Sequence, residues 1–153
     1  MFKLSTRSLS NLEGVDPRLV EVVQEAITLT RVDFGVIEGL RTVERQKELY
    51  DNNLSKTMNS KHLTGRAIDL MAYVGSGSRA CWELTVYDDI ADAMREAAIK
   101  REIPIRWGCA WNLPDIREWT ETMEDAMNDY IDLRRSESKR PFLDGPHFEI
   151  SNT

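Results

Sequence analysis

Ser60-Lys61-His62-Leu63-Thr64-Gly65-Arg66-Ala67-Ile68-Asp69-Leu70-Met71-Ala72-Tyr73 is the stretch on which the reading of this chain turns. It begins as the end of a polar loop, and from Arg66 it becomes an apolar run that reads as a strand to Tyr73. Alternation along that strand puts Ala67, Asp69 and Met71 on one face and Ile68 and Leu70 on the other. A carboxylate therefore stands in mid-strand, with His62 just upstream at the loop-to-strand junction. Gly65 lets the chain turn sharply between the two, and Ala67 is small enough not to crowd the space they share.

The chain holds only two histidines. The second lies in Asp144-Gly145-Pro146-His147-Phe148-Glu149, where His147 to Ile150 reads as a short strand with His147 and Glu149 on one face. Two neutral imidazoles and one carboxylate make the donor set of a catalytic zinc site, in which three protein ligands leave a fourth position for water. His62, Asp69 and His147 are the candidate ligands, although a structural histidine beside a carboxylate would show the same spacing. Asp144 adds weight, because hydrolysis at such a centre needs a nearby base. Asp-Gly is also good turn chemistry in its own right. Glu149 can order a ligand histidine or serve as a surface charge, and the residues alone leave both open. Arg41 follows an apolar run and precedes a helix cap, a position that would aim a guanidinium into a cleft. There it would stabilise the oxyanion of amide hydrolysis; a salt bridge to Glu38 or Glu44 is the plainer alternative.

Working outward, Asp16-Pro17 is an N-cap followed by proline at the first helical position, and opens a helix over Pro17 to Thr30. Phe34 to Leu40 reads as a strand, and Thr42 caps a second helix to about Asp51. Asn52 to Thr64 is a polar loop. A third helix covers about Tyr87 to Arg101, Ile103 to Trp107 is a strand, and Gly108 marks a turn. Ile116, Trp119, Met123, Ala126, Met127, Tyr130 and Ile131 keep helical spacing, which predicts a fourth helix from about Pro114 to Arg134 with its apolar stripe facing the core. The expected class is α+β: a small, largely antiparallel sheet flanked by helices, with the metal site at the sheet face. Residues 1–153 are expected to form one domain, with an extra helical segment at about 113–140.

A chain of 153 residues suits one core. The net charge of −6 argues against a nucleic-acid binder, which would carry a basic stripe. Arg134, Arg135, Lys139 and Arg140 form the only notable basic cluster and read as a solvated helix end. Cys81 and Cys109 are too few and too far apart for a disulfide framework, and are expected as reduced thiols. No apolar run suits a signal peptide or a bilayer span, so a cytoplasmic protein without stable membrane insertion is expected; a monomer is expected as well.

The pattern from Ser60 through His62 to Asp69, with Gly65 and Ala67 in place, resembles the metal-binding signature of the zinc D,D-peptidases and related endolysins. Asp144, His147 and Glu149 resemble the second signature of that family. Asp33 to Gln46 and Leu54 to His62 are similar to the family's regions around its transition-state arginine and ahead of its first motif. The resemblance, in particular to the phage L-alanyl-D-glutamate peptidases, spans about Leu9 to Asn112 and Phe142 to Ile150. It implies zinc ligands His62, Asp69 and His147, a base at Asp144, a carbonyl-polarising Arg41, and positions near the substrate for Ser60 and Gln46. The helical stretch between Trp111 and Asp144 is longer than this pattern leads one to expect.

The implied reaction is hydrolysis of the L-alanyl-D-glutamate bond in the peptide stem of bacterial peptidoglycan. The implied enzyme is an endolysin made in the host cytoplasm that acts on the cell wall after release. Two alternatives share the motifs. One is a D-alanyl-D-alanine carboxypeptidase or dipeptidase using the same metal site. The other is a zinc-bearing binding domain without catalysis, against which Asp144 and Arg41 count.

Overall fold

The computed structural model describes residues 1–152. Ser5 opens a short helix, α1 (Thr6–Asn11), by accepting a hydrogen bond from the Ser8 backbone N–H. Asp16 caps α2 (Pro17–Leu29) in the same way, with Pro17 at the first turn as expected. Then follow β1 (Asp33–Glu38), α3 (Val43–Asp51) capped by Thr42, β2 (Ala67–Val74), β3 (Arg79–Cys81), α4 (Leu84–Arg101), β4 (Ile105–Trp107), α5 (Met123–Ser136) and β5 (His147–Ile150).

The five strands form one sheet in the order β1-β2-β5-β4, with β3 also on β2, and every pairing is antiparallel. β2 is the spine. β1 runs along one of its edges, while β5 pairs with Ala67 to Asp69 and β3 with Ala72 to Val74. Ile68, Leu70 and Ala72 are fully buried, so one face of β2 belongs to the core. Against that core pack Leu19, Val22, Val23 and Ala26 of α2 and Ile90, Met94 and Ala97 of α4. Phe148 on β5 and Trp107 on β4 stack with centroids 6.2 Å apart and are both sealed from solvent. The α+β class and the antiparallel sheet are thus present as the alternation in the sequence implied.

Two elements were not expected from sequence, α1 and β3. α1 has a purpose beyond its length: Ser8 Oγ accepts the Val36 N–H at 2.9 Å, and Asn11 Nδ2 donates to the Val36 carbonyl at 2.8 Å. Side chains of α1 therefore satisfy both backbone groups of Val36 on the open edge of β1. The expected continuous helix from Pro114 to Arg134 is also corrected. A 3-10 turn spans Ile116–Glu118, and α5 begins afresh at Met123. Asp115 caps the first turn through the Arg117 N–H, and Thr122 caps the second helix through the Asp125 N–H, so two caps compete with one long helix. Burial still follows the helical spacing, with Ile116, Met123, Ala126 and Met127 inside. β4 starts at Ile105 and not Ile103, because Pro104 has no N–H for a ladder.

Asp88 on α4 is buried, and one of its carboxylate oxygens has no hydrogen-bond partner. Burial, and then the charges of Asp89, Glu124 and Asp92, push its pKa up from 3.8 to about 6. Such an acid holds its proton more tightly in the folded state than in the unfolded one. It therefore costs stability increasingly as pH rises from the ordinary value through the raised one. Asp88→Asn is expected to be more stable than the parent at pH 8 by about 1 kcal/mol, with the difference closing towards pH 4, in urea titrations across that range.

Candidate metal centre

His62 sits in a 3-10 turn, Lys61–Thr64, which Ser60 opens by accepting the His62 N–H at 3.2 Å. Gly65 ends the turn at φ +72°, and a Cβ there would run into the Gly14 carbonyl oxygen, so both conformation and space demand glycine. The Arg41 N–H donates to the His62 carbonyl at 2.8 Å, and His62 Nδ1 donates to the Gly39 carbonyl at 2.8 Å. With Nδ1 so engaged, Nε2 carries the free lone pair.

The ladder brings in the other two groups. Asp69 in mid-β2 lies directly opposite His147, the first residue of β5. His147 Nε2 is 2.8 Å from Glu149 Oε1, which leaves Nδ1 turned towards Asp69 Oδ1 at 3.5 Å. His62 Nε2 approaches the same Asp69 oxygen at 3.3 Å. One ligand atom from each of His62, Asp69 and His147 lies within 4.8 Å of the others. His62 Nε2 and Asp69 Oδ1 are buried and have no hydrogen-bond partner. Leaving lone pairs dry in this way is costly, and a cation held between them removes the cost. Two imidazole nitrogens and a carboxylate oxygen suit zinc and its neighbouring divalent metals.

Charge is balanced tightly around this triad. Burial alone would raise the pKa of Asp69, but His147 and His62 hold it well below the usual carboxylate range. Burial likewise disfavours charge on His147, yet Asp69 and Glu149 lift its pKa to about 9. Glu149 is held down at about 2 against its own burial by His147 and by Lys61, whose Nζ lies 2.9 Å from Glu149 Oε2. Glu149 is therefore no surface charge: it is 6% exposed and orients a candidate ligand.

Asp144 faces the same cleft from the turn before β5. Its backbone N–H donates to Gly108, whose own N–H donates to His147, both at 2.9 Å. Trp107 Nε1 donates to the Gly145 carbonyl at 2.9 Å, and a Cβ at Gly108 would strike the Asp144 carbonyl oxygen. Burial, and then the Asp69 charge, raise the Asp144 pKa above the ordinary carboxylate value.

Arg41 makes the expected salt bridge and also reaches the cleft. Its Nε donates to Glu38 at 2.6 Å, while another nitrogen lies 3.5 Å from Asp69 Oδ2, so the guanidinium lines the site. Gln46 is placed differently from what the motif implied. It is fully buried, receives Arg41 through Oε1 at 2.7 Å, and donates through Nε2 to Ser55 Oγ at 2.8 Å and to the Thr57 carbonyl. It braces the arginine from beneath and does not face the cleft, whereas Ser60 does.

The cleft encloses about 450 Å³ and has aromatic walls that sequence reasoning missed, Trp82, Trp111 and Phe142. Trp111 lies with its centroid 5.3 Å from the His147 ring and stacks on Phe142 at 6.1 Å. No periodicity marks these residues in the sequence; only their adjacency to the motif strands could have suggested them. Glu149→Gln is expected to weaken zinc binding about 10–100-fold while the protein still melts cooperatively, as read by competition with a chromophoric chelator.

The model of the phage L-alanyl-D-glutamate peptidase family matches residues 1–151. The L-alanyl-D-glutamate peptidase of Escherichia phage T5 is 31% identical to this chain over 153 residues, covering 97% of this chain and 98% of its own length. The crystal structure of the L-Ala D-Glu endopeptidase ChiX from Serratia marcescens is similar with a TM-score of 0.70 and 34% identity. That match covers 97% of this chain and 90% of ChiX. With the whole of the site inside the matched region, the chain belongs to the phage L-alanyl-D-glutamate peptidase family.

Proposed function

We propose that this chain is a zinc-dependent endolysin that hydrolyses the L-alanyl-D-glutamate bond in the peptide stem of bacterial peptidoglycan. One observation carries the reading above all: His62, Asp69 and His147 bring one ligand atom each to within 4.8 Å of the others, two of them without a hydrogen-bond partner, in a cleft that Asp144 and Arg41 also line. Family membership along nearly the whole chain supports reading that cleft as the site of a peptidase.

His62 Nε2, Asp69 Oδ1 and His147 Nδ1 would hold the ion. When bound, it supplies Lewis acidity, which polarises a carbonyl and makes water a nucleophile at neutral pH. Asp144 takes the proton from the attacking water and later returns it to the departing nitrogen. Its raised pKa suits the first half of that exchange, since a more basic carboxylate accepts a proton more readily. The Trp107 indole and the Gly108 backbone keep its turn from drifting. A guanidinium has five N–H donors. Glu38, Gln46 and Asp69 engage three nitrogens of Arg41 through one contact each, so donors remain for the oxyanion that forms on the carbonyl. Ser60 serves as a substrate contact on the cleft wall.

In this reading residues 1–153 work as one catalytic domain and as a monomer. The segment at about 113–140 thickens the core through Met123, Ala126, Met127 and Tyr130. The substrate is the wall polymer and not nucleic acid. The protein accumulates in the host cytoplasm and meets the wall after release; no helix among the described residues is long and apolar enough to cross a membrane.

Mass spectrometry of digested peptidoglycan is the direct test. New amino-terminal glutamate is expected, and release of free D-alanine without a cut after L-alanine would reject the assignment. Rigorous chelation should abolish activity, and added zinc should restore it. Asp144→Asn should lower kcat by about 10²–10⁴-fold with zinc content unchanged. Because the base must be ionised, kcat/KM should fall on the acid side as Asp144 takes up its proton. That limb should be missing from the residual activity of Asp144→Asn.

A further inference from the structure

Glu38, Asp69, Asp144 and Glu149 place four carboxylates around the cleft, and Arg41, Lys56 and Lys61 are its lysine and arginine side chains. Two of these cations are spoken for. Arg41 pairs with Glu38 at 2.6 Å and lies near Asp69, and Lys61 pairs with Glu149 at 2.9 Å and donates to the Ile150 carbonyl at 2.6 Å. Lys56 has no carboxylate partner among the described residues. Its Nζ stands 6.0 Å from the centroid of the Phe142 ring. A ring face steadies an ammonium without neutralising it or using up its N–H donors.

The position of Lys56 is built, not incidental. Ser55 and Thr57, on either side of it, both receive hydrogen bonds from Gln46 Nε2, and the other end of the Gln46 amide holds Arg41. On the opposite side, Phe142 stacks on Trp111, and Trp111 packs against His147. The loop carrying Lys56 is thus tied to both the arginine and a candidate ligand of the site.

The substrate's chemistry supplies the counterpart. A bond to the nitrogen of a glutamyl residue leaves that residue two carboxyl groups, and continuation of the peptide uses only one. A free carboxylate therefore accompanies the scissile nitrogen at a distance of a few bonds. Lys56 is the lysine or arginine of the cleft whose charge no carboxylate among the described residues meets, so an ion pair with that group can form there without breaking one already made.

We propose that Lys56 is the specificity-determining anchor for the free carboxylate of the glutamyl residue on the leaving side of the cut. The proposal rests on the peptidase reading above. Lys56 is exposed, so its replacement leaves the core untouched.

The test uses the zinc-loaded full chain and two synthetic stem tripeptides. One keeps the free carboxylate on its D-glutamyl residue, and the other carries a carboxamide there. The wild-type protein is expected to favour the acid peptide about tenfold or more in kcat/KM, chiefly through KM. Lys56→Gln should erase that preference by raising KM for the acid peptide alone, and Lys56→Arg should restore most of it. A preference that survives in Lys56→Gln, or an equal loss on both peptides, overturns the anchor while leaving the peptidase reading intact. Failure of the wild-type protein to cut either peptide after L-alanine overturns that reading, and the anchor with it.

Discussion

Asp69 and His147 occupy one rung of the ladder between β2 and β5, and the arrangement of the site descends from that pairing. Residues directly opposite on antiparallel strands hold their side chains about 4.5–5.5 Å apart on the same face, which is the separation that two groups sharing an ion require. A slip of one residue would turn Asp69 into the apolar layer occupied by Ile68 and Leu70. The core therefore enforces the register: the same alternation that buries Ile68, Leu70 and Ala72 keeps the carboxylate on the opposite face. Stability of the sheet and geometry of the centre are one constraint.

Around that rung, the backbone is packed so closely that the candidate ligands have few alternatives. Gly65 presses on Gly14, and Gly108 presses on the turn that carries Asp144. Each ring has its second nitrogen fixed, His62 by the Gly39 carbonyl and His147 by Glu149. Those contacts choose the tautomer, and hence which lone pair faces the centre. Arg41 is held by Glu38 and Gln46, so its charge is in place before any substrate arrives. Preorganisation of this kind lets donors act on developing charge without first having to rearrange.

An excess of carboxylates over free cations gives the cleft its character. A cation at the triad would relieve part of that excess and would take up the bare lone pairs on His62 and Asp69. Lys61 and Arg41 relieve more, each already paired with a carboxylate of the protein. The aromatic wall of Trp111 and Phe142 restricts water on one side of the candidate ligands and supports a lysine whose charge is unspent. Where charge is left over, selectivity towards a charged substrate follows.

Much of this molecule was legible in the linear chain, because the relevant signals are local. The alternation from Ala67 to Tyr73, the Asp16-Pro17 and Thr42 caps and the His147 strand all involve neighbours within a few residues, and each appears where the pattern put it. The ligand trio could be nominated for the same reason, since two histidines and a strand-borne aspartate leave few candidates. Other features depend on partners distant in sequence. α1 exists to satisfy Val36, and the helix expected from Pro114 breaks because Asp115 and Thr122 cap separate turns while Asp92 receives the Met123 N–H. Gln46 lies beneath Arg41 and away from the cleft because Ser55 and Thr57 fold back over it. The sequence by itself determined the donor chemistry and the faces of the strands. Only the tertiary structure decided which nitrogen of each imidazole is free, which cation is unpaired and which aromatic rings wall the cleft, because these follow from contacts between segments that no local pattern links.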